Sequence, residues 1–427
     1  MTRALIAANR RTFASLRKHR NYRLFFTGQV VSVTGSWMQN VATAWLVLEL
    51  TGSPLAVGVL ALCQFLPFTL LSLPAGVLLD RLDARRVVVA TQALSLLFAA
   101  VLAAVTLAGA VAAWHVYVLS VLRGIVLVLD NPARQALTFQ MVGRDELANA
   151  VALNSTLFNA ARVVGPALGG VLVAWVGVGA CFTLNAASFL AVLVSLLRMR
   201  PAELFGLERD GDAPGLVGGV REALAYVRRT RPVAVVLAAV LAVTTFAFNL
   251  NVLLPVFARE TLAAGPDAFG VLSACFGAGA LVGALTAALR GRASRLLFLV
   301  GMGVFGLAQL VLAPLESLGP AGLVLLAAGA AFTTWTANAN ATLQLAVPDR
   351  LRGRVLGLYF LAFNGSMPLG GLLAGWLAAT GGTQLAFAVA GSGALAATLV
   401  ALALLRLPER RLRRRHSGRA GFARASV

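Results

Sequence analysis

Hydrophobic residues in this chain come in long unbroken runs, not in the alternation of a half-buried strand or the narrow stripe of a surface helix. A membrane-crossing helix needs about 20 predominantly apolar residues. Twelve such runs are read, at roughly 24–50, 54–79, 86–108, 114–136, 147–176, 179–198, 232–258, 268–290, 294–314, 319–345, 353–379 and 382–405. The pattern predicts an all-α membrane protein with twelve transmembrane helices. The longest gap, about Pro201 to Arg231, falls between the sixth run and the seventh.

Charge sharpens this reading. Basic residues gather at the two ends and in or beside every second gap between runs. Arg259 is the one basic residue of an odd-numbered gap, and Arg123 and Arg162 lie deep inside runs. Cytoplasmic loops carry the excess of Lys and Arg, so both termini are expected in the cytoplasm. The net charge of +20 therefore punctuates hydrophobic spans and does not predict nucleic-acid binding. The chain is 59% hydrophobic and 12% charged, whereas soluble domains run at about 25% charged. The first apolar run is too long for a signal-peptide core, so the basic start is expected to stay and hold the N-terminus inside.

Composition also removes several chemistries. Cys63, Cys181 and Cys275 all lie in apolar runs and read as small packing residues, with no disulfide or metal spacing. The single lysine, Lys18, follows no glycine-rich loop, so no Walker-type nucleotide site is expected. No cofactor, metal or enzymatic activity is expected.

The long gap divides the chain into five parts. These are a basic N-terminus at about 1–23, a six-helix bundle at 24–199, a linker at 200–231, a second six-helix bundle at 232–405 and a basic tail at 406–427. In the linker, Val220, Leu224 and Val227 at helical spacing beside Arg221, Arg228 and Arg229 predict a short amphipathic helix on the inner leaflet. The tail reads as an orientation signal attracted to anionic lipid. The two bundles look like a repeat. Gly169-Gly170 is followed by Trp175, and Gly370-Gly371 by Trp376, at the same spacing. Two related halves with substrate held between them are what alternating-access transporters use.

Three motifs carry a family resemblance. The stretch Gly76-Val77-Leu78-Leu79-Asp80-Arg81-Leu82-Asp83-Ala84-Arg85-Arg86 closely resembles the motif between helices 2 and 3 of the major facilitator superfamily. Gly76 permits close helix approach, and Asp80 and Arg81 can form charge-assisted bonds across the membrane surface. Asp83 and Ala84 depart from the usual glycine and basic residue, and Asp83 is positioned to pair with Arg85 or Arg86. The second motif, from Asn159 to Gly170, resembles the helix 5 motif of exporters in that superfamily. Its Gly165, Pro166, Gly169 and Gly170 form a candidate hinge, because small residues allow tight packing and proline frees a carbonyl. The third, Asp130-Asn131-Pro132-Ala133-Arg134-Gln135-Ala136, together with Trp45 to Ser53, resembles the branch of enterobactin-type siderophore exporters and transmembrane secretion effectors. By that resemblance the fold is the major facilitator fold, with two pseudo-symmetric six-helix bundles. Gly76, Asp80, Arg81, Arg85, Arg86 and Asp130 would gate it. The usual helix 4 arginine is Ser120 here, with Arg123 just before Gly124, so the superfamily's proton-coupling scheme does not transfer directly.

Arg123 and Arg162 also matter on physical grounds alone. A charge at membrane depth is costly and is by default functional. No carboxylate lies at comparable depth: Glu49 is near the outer rim, and Asp130 is nearer the inner end. The excess of cation invites an anionic or strongly polar substrate. The alternative is that each arginine bonds helix carbonyls or that Asp130 reaches one. Buried amides fill out the candidate cavity, namely Gln39, Asn40, Gln64, Asn154, Asn159, Asn249, Asn251, Asn338, Asn340 and Asn364, with Phe246, Trp335 and Phe363 among them, and about half of the amides are expected to serve as interhelical glue. Gln39, Asn159, Asn249 and Asn338, with Trp335 beside them, are the substrate-binding candidates that join the two arginines.

The expected function is a secondary active exporter, coupled to protons, of a small amphipathic molecule such as a drug, siderophore or secondary metabolite. Its expected place is the bacterial cytoplasmic (inner) membrane, as a monomer, with the bilayer, protons and a small-molecule substrate as its partners and no nucleic acid. Two alternatives stand beside it: an importer or uniporter on the same fold, and a non-transporting membrane sensor or scaffold.

Overall fold

The computed structural model describes residues 13–79, 82–206, 216–290 and 293–406. Among them there is helix and no strand. Backbone groups in lipid must be satisfied within the segment, and a helix does this residue by residue. Nine helices among the described residues are long and apolar enough to cross a membrane.

A short helix α1 (Ala14–Lys18) leads into α2 (Arg20–Thr51), then α3 (Pro54–Leu79), α4 (Ala84–Leu107), α5 (Ala113–Val176) and α6 (Val178–Leu197). After the linker helix α7 (Leu216–Arg229) come α8 (Arg231–Phe246), α9 (Leu250–Val256), α10 (Pro266–Arg290), α11 (Arg295–Leu312), α12 (Leu318–Ala346), α13 (Asp349–Asn364) and α14 (Met367–Arg406).

The structure differs from the expected runs at four places, each with a local cause. Runs four and five join into the 64-residue α5, broken only at Gly143, whose φ of 66° and ψ of −173° are not helical. Runs eleven and twelve meet inside α14 at Gly381 and Gly382, the latter with φ 71°. Glycine takes such positive φ without the steric cost other residues bear. Run seven breaks between α8 and α9. The Ala247 carbonyl at that break accepts from Gln309 Nε2 at 2.5 Å, and Phe248 stacks on Phe332 at 4.3 Å. Run eleven breaks between α13 and α14, where Ser366 Oγ donates to Thr244 Oγ1 at 2.7 Å and Pro368 supplies no N–H.

The linker helix docks against protein. Tyr226 donates to the Ala346 carbonyl at 3.0 Å, and Glu222 pairs with Arg350 at 2.7 Å and with Arg354. On the same face Lys18 pairs with Glu146, and Asn21 holds the Arg200 backbone at both its N–H and its carbonyl. This is called the linker face below.

Helices before residue 200 meet helices after residue 230 mainly along two seams, α5 with α10 and α3 with α14. The core continues across both, from Val41, Val57 and Leu60 to Val252, Phe269 and Phe276.

Candidate functional site

Glycines set the depth of both seams. A Cβ at Gly170 would lie 2.7 Å from Gly270 Cα, and one at Gly270 would lie 2.7 Å from the Pro166 carbonyl oxygen. Further along, a Cβ at Gly277 would lie 2.6 Å from the Arg162 carbonyl oxygen. That carbonyl lacks its usual helical donor because residue 166 is proline. In the other seam, a Cβ at Gly58 would lie 2.7 Å from the Gly371 carbonyl, and one at Gly375 would lie 2.8 Å from the Pro54 carbonyl. The two Gly-Gly pairs divide their work alike. Gly169 faces Met38 of α2 while Gly170 faces α10, and Gly370 faces Thr245 of α8 while Gly371 faces α3. Trp175 and Trp376, five residues on, are 84% and 53% exposed.

Between the seams lies a cavity of about 700 Å³. At the seam end its wall is buried, with Val41, Leu60, Ala61, Val252 and Phe269. Toward the linker face the wall is formed by Phe158 and Phe360, which are 51% and 57% exposed. The cavity therefore runs from the buried wall beside the seams to Phe158 of α5 and Phe360 of α13. A site of this size, mostly apolar with a few amides, suits a drug-sized molecule.

Arg162 projects into this cavity. Its guanidinium carbon sits 5.1 Å from the ring centres of Phe276 and Phe332 and 5.7 Å from that of Trp37. It forms no hydrogen bond or ion pair with any described residue. Arg123 is placed differently. It lines a separate cavity of about 20 Å³ with Gln39, Gln64 and Ser120, and its Nη1 donates to Asn40 Oδ1 at 3.0 Å. The alternative that Asp130 reaches one of these arginines does not hold. The buried Asp130 carboxylate accepts from Thr91 at 2.6 Å, from Gln92 at 3.0 Å and from Arg134, one turn along its own helix.

Of the other gating candidates, Gly76 lies in α3, and Asp80 and Arg81 lie outside the described residues. Arg85 donates to the Leu196 carbonyl at 3.0 Å. Asp83 meets Arg86 through the backbone: its side chain accepts the Arg86 amide at 2.8 Å and caps α4. That cap takes the place of the side-chain pair expected from the sequence.

Of the seven substrate-binding candidates, Arg162 alone lines the large cavity. Gln39 and Arg123 line the small one, where Gln39 accepts from Asn185. Of the remaining amides, Asn159 and Asn338 bond their own helices one turn back, at the Ser155 and Thr334 carbonyls, and Asn249, in the break between α8 and α9, bonds the Thr245 carbonyl near the end of α8. Asn338 also accepts the Ser294 amide at 2.8 Å. Trp335 is fully buried behind Phe332 and Phe363. These amides are satisfied locally because a polar group in lipid takes the nearest backbone acceptor, and of the three Asn338 also reaches a distant segment, at Ser294. The cavity takes its polar groups from Asn40, Gln64, Asn251 and Asn340, four others of the amides expected there, and its aromatic wall from Trp37, Phe276, Phe332 and Tyr359. No spacing along the chain singled out Trp37, Phe276 and Phe332, which come from three different helices.

Membrane-length helices packed around a cavity of this size are an arrangement suited to a solute transporter. The chain belongs to the transmembrane secretion effector family of the major facilitator superfamily, whose profile matches residues 10–419. It is 31% identical over 385 residues to the multidrug efflux pump Tap of Mycolicibacterium fortuitum, covering 88% of this chain and 93% of that one. It is 24% identical to the staphyloferrin A transporter of Staphylococcus aureus, covering 88% and 94%. The fold matches the crystal structure of the nucleoside transporter NupG with a TM-score of 0.70 at 14% identity, covering 91% of this chain and all of that one. The chain is thus a multi-pass membrane transporter of the major facilitator fold.

Proposed function

We propose that this protein is a secondary active exporter of a small amphipathic molecule, driven by proton antiport, in the bacterial cytoplasmic membrane. It acts as a monomer of twelve crossing helices in two pseudo-symmetric halves, 24–199 and 232–405, with the linker 200–231 and both termini in the cytoplasm. The carrying observation is the 700 Å³ cavity between the two glycine seams, which on this reading opens toward the linker face. The basic gaps make that face cytoplasmic. A cavity loading from the cytoplasm suits export, and the efflux function named for Tap supports the same direction.

Alternating access then requires the seams to part. Gly165 and Gly169 let α5 pivot on Thr34 to Met38 of α2, while Gly170 and Pro166 leave α10. Gly76, Asp80, Arg81, Arg85, Arg86 and Asp130 would close the linker face in return. Asp130 and the exposed Glu49 are the candidate proton carriers.

The test is uptake into inverted vesicles of a panel of dyes, macrolides and siderophores, with and without a proton gradient. Gradient-dependent accumulation is expected for the native chain. Gly270→Leu, whose side chain cannot fit against the Pro166 carbonyl, should abolish it while the protein stays in the membrane. Accumulation that ignores the gradient overturns antiport, and native-level transport by Gly270→Leu overturns the seam as the moving contact.

A further inference from the structure

The cavity wall carries a single charged side chain among the described residues, and it is a cation. Arg162 sits against three aromatic rings, while the rest of the wall is amide, hydroxyl and hydrocarbon. We infer that the substrates carry an anionic group, a carboxylate or a comparable oxyanion, attached to an apolar or aromatic body, and that Arg162 binds that group. The inference rests on the cavity being the transport site proposed above.

The chemistry follows from what the rings can and cannot do for a guanidinium. Cation–π contact stabilises the charge through the ring faces. It leaves the five N–H donors of the guanidinium without acceptors. A buried arginine ordinarily finds a carboxylate, an amide oxygen or a carbonyl, as Arg134 finds Asp130 and Gln29, and as Arg123 finds Asn40. Arg162 has none of these. The three rings come from α2, α10 and α12, so the cage draws on helices of both halves and holds the guanidinium between them. A planar fork of donors held this way is matched by a carboxylate, which accepts two parallel bonds. The same rings offer an aromatic body its stacking surface, and Asn40, Gln64, Asn251 and Asn340 offer its polar substituents hydrogen bonds. A cationic drug meets the opposite situation. It would bring a second positive charge into a site of low dielectric with no acidic residue on the wall to offset it.

The two halves of this prediction, charge and binding, can be read together. The full-length protein in lipid nanodiscs is titrated with three naphthyl compounds of equal size: a carboxylate, the corresponding primary amide and the corresponding amine. Quenching of Trp37, at the edge of the cage, reports occupancy, and Trp37→Phe identifies its share of the signal. The native protein should bind the carboxylate about tenfold or more tighter than the amide, the range of a charge-assisted bond. The amine should bind weakest. Arg162→Gln should erase the preference for the carboxylate, and Arg162→Lys should retain part of it, which separates loss of charge from loss of fold. Equal binding of carboxylate and amide by the native protein, or tightest binding of the amine, overturns the inference. The transport reading fails separately. Carboxylate bound with the expected preference but not moved across a vesicle membrane upholds the anion site and sinks the exporter. Gradient-driven flux with no charge preference does the reverse.

Discussion

Two arginines lie at membrane depth in the same half of this protein, and their surroundings have little in common. Arg123 occupies a cavity of about 20 Å³ walled by Gln39, Gln64 and Ser120 and bonds Asn40. Arg162 stands at the edge of a 700 Å³ cavity with aromatic rings beside it and no acceptor among the described residues. Burying a guanidinium costs several kcal/mol unless bonds offset it. At Arg123 the protein supplies the offset itself, which makes that charge part of the scaffold. At Arg162 it supplies ring faces only, which leaves the remainder to whatever fills the cavity. Both are arginines inside apolar runs, and the partner decides between a structural and a binding role. Asn40 links the two regions, since it bonds Arg123 and also lines the large cavity.

The comparison breaks most sharply at Asn40. Asn40→Leu removes the acceptor and strands the Arg123 charge, at a cost of about 1.5–3 kcal/mol, the worth of a hydrogen bond to a charged group. A clearly lower apparent melting temperature in detergent, at fixed scan rate, is the expected result. Adding Arg123→Met should recover most of it, because replacing a buried polar pair by apolar groups is often neutral. An unchanged melting temperature in Asn40→Leu would show that Arg123 does not depend on this bond. Arg162→Met is the matching experiment with a smaller effect. It strands no partner, so loss of the cation–π contacts, about 0.5–1 kcal/mol each, is set against relief of desolvation. The melting temperature should stay level or rise. A fall comparable to that of Asn40→Leu would make Arg162 structural and erase the distinction.

How much of this was legible in the sequence follows from the kind of contact. Apolar runs and their basic punctuation are set by the bilayer, which acts on each segment locally, so the helical stretches among the described residues read well apart from the joins at Gly143 and Gly381–Gly382 and the breaks within runs seven and eleven. The glycine pairs at 169–170 and 370–371 also read well, because close approach needs glycine whatever the partner is. Amide roles read poorly. Asn249 and Asn338 look like cavity residues by run and depth, yet each bonds the backbone carbonyl four residues back, a choice fixed by rotamer and neighbours. The cage around Arg162 was hidden for a different reason. Trp37, Phe276 and Phe332 are far apart in the chain and become neighbours only when α2, α10 and α12 pack. Arg162 itself was visible as a charge out of place.

The cage yields the smallest and most discriminating effect. Phe276 contacts both the guanidinium and the ring of Phe332, at 5.1 Å and 5.7 Å. Phe276→Leu keeps an apolar side chain of similar reach and removes one ring face, worth about 0.5–1 kcal/mol at a site of this exposure. If the rings orient the guanidinium toward an anionic substrate, the carboxylate probe should lose roughly two- to fivefold in affinity. The neutral amide should lose less, because it forfeits only the stacking of its naphthyl body on this ring and none of the contact through the charge. The melting temperature should hardly move, since no polar partner is stranded. Equal weakening of both probes would assign Phe276 to general stacking and leave the orientation of Arg162 to Trp37 and Phe332. Weakening confined to the carboxylate would show that a ring touching no part of the anion sets the strength of its binding, through the cation held between them.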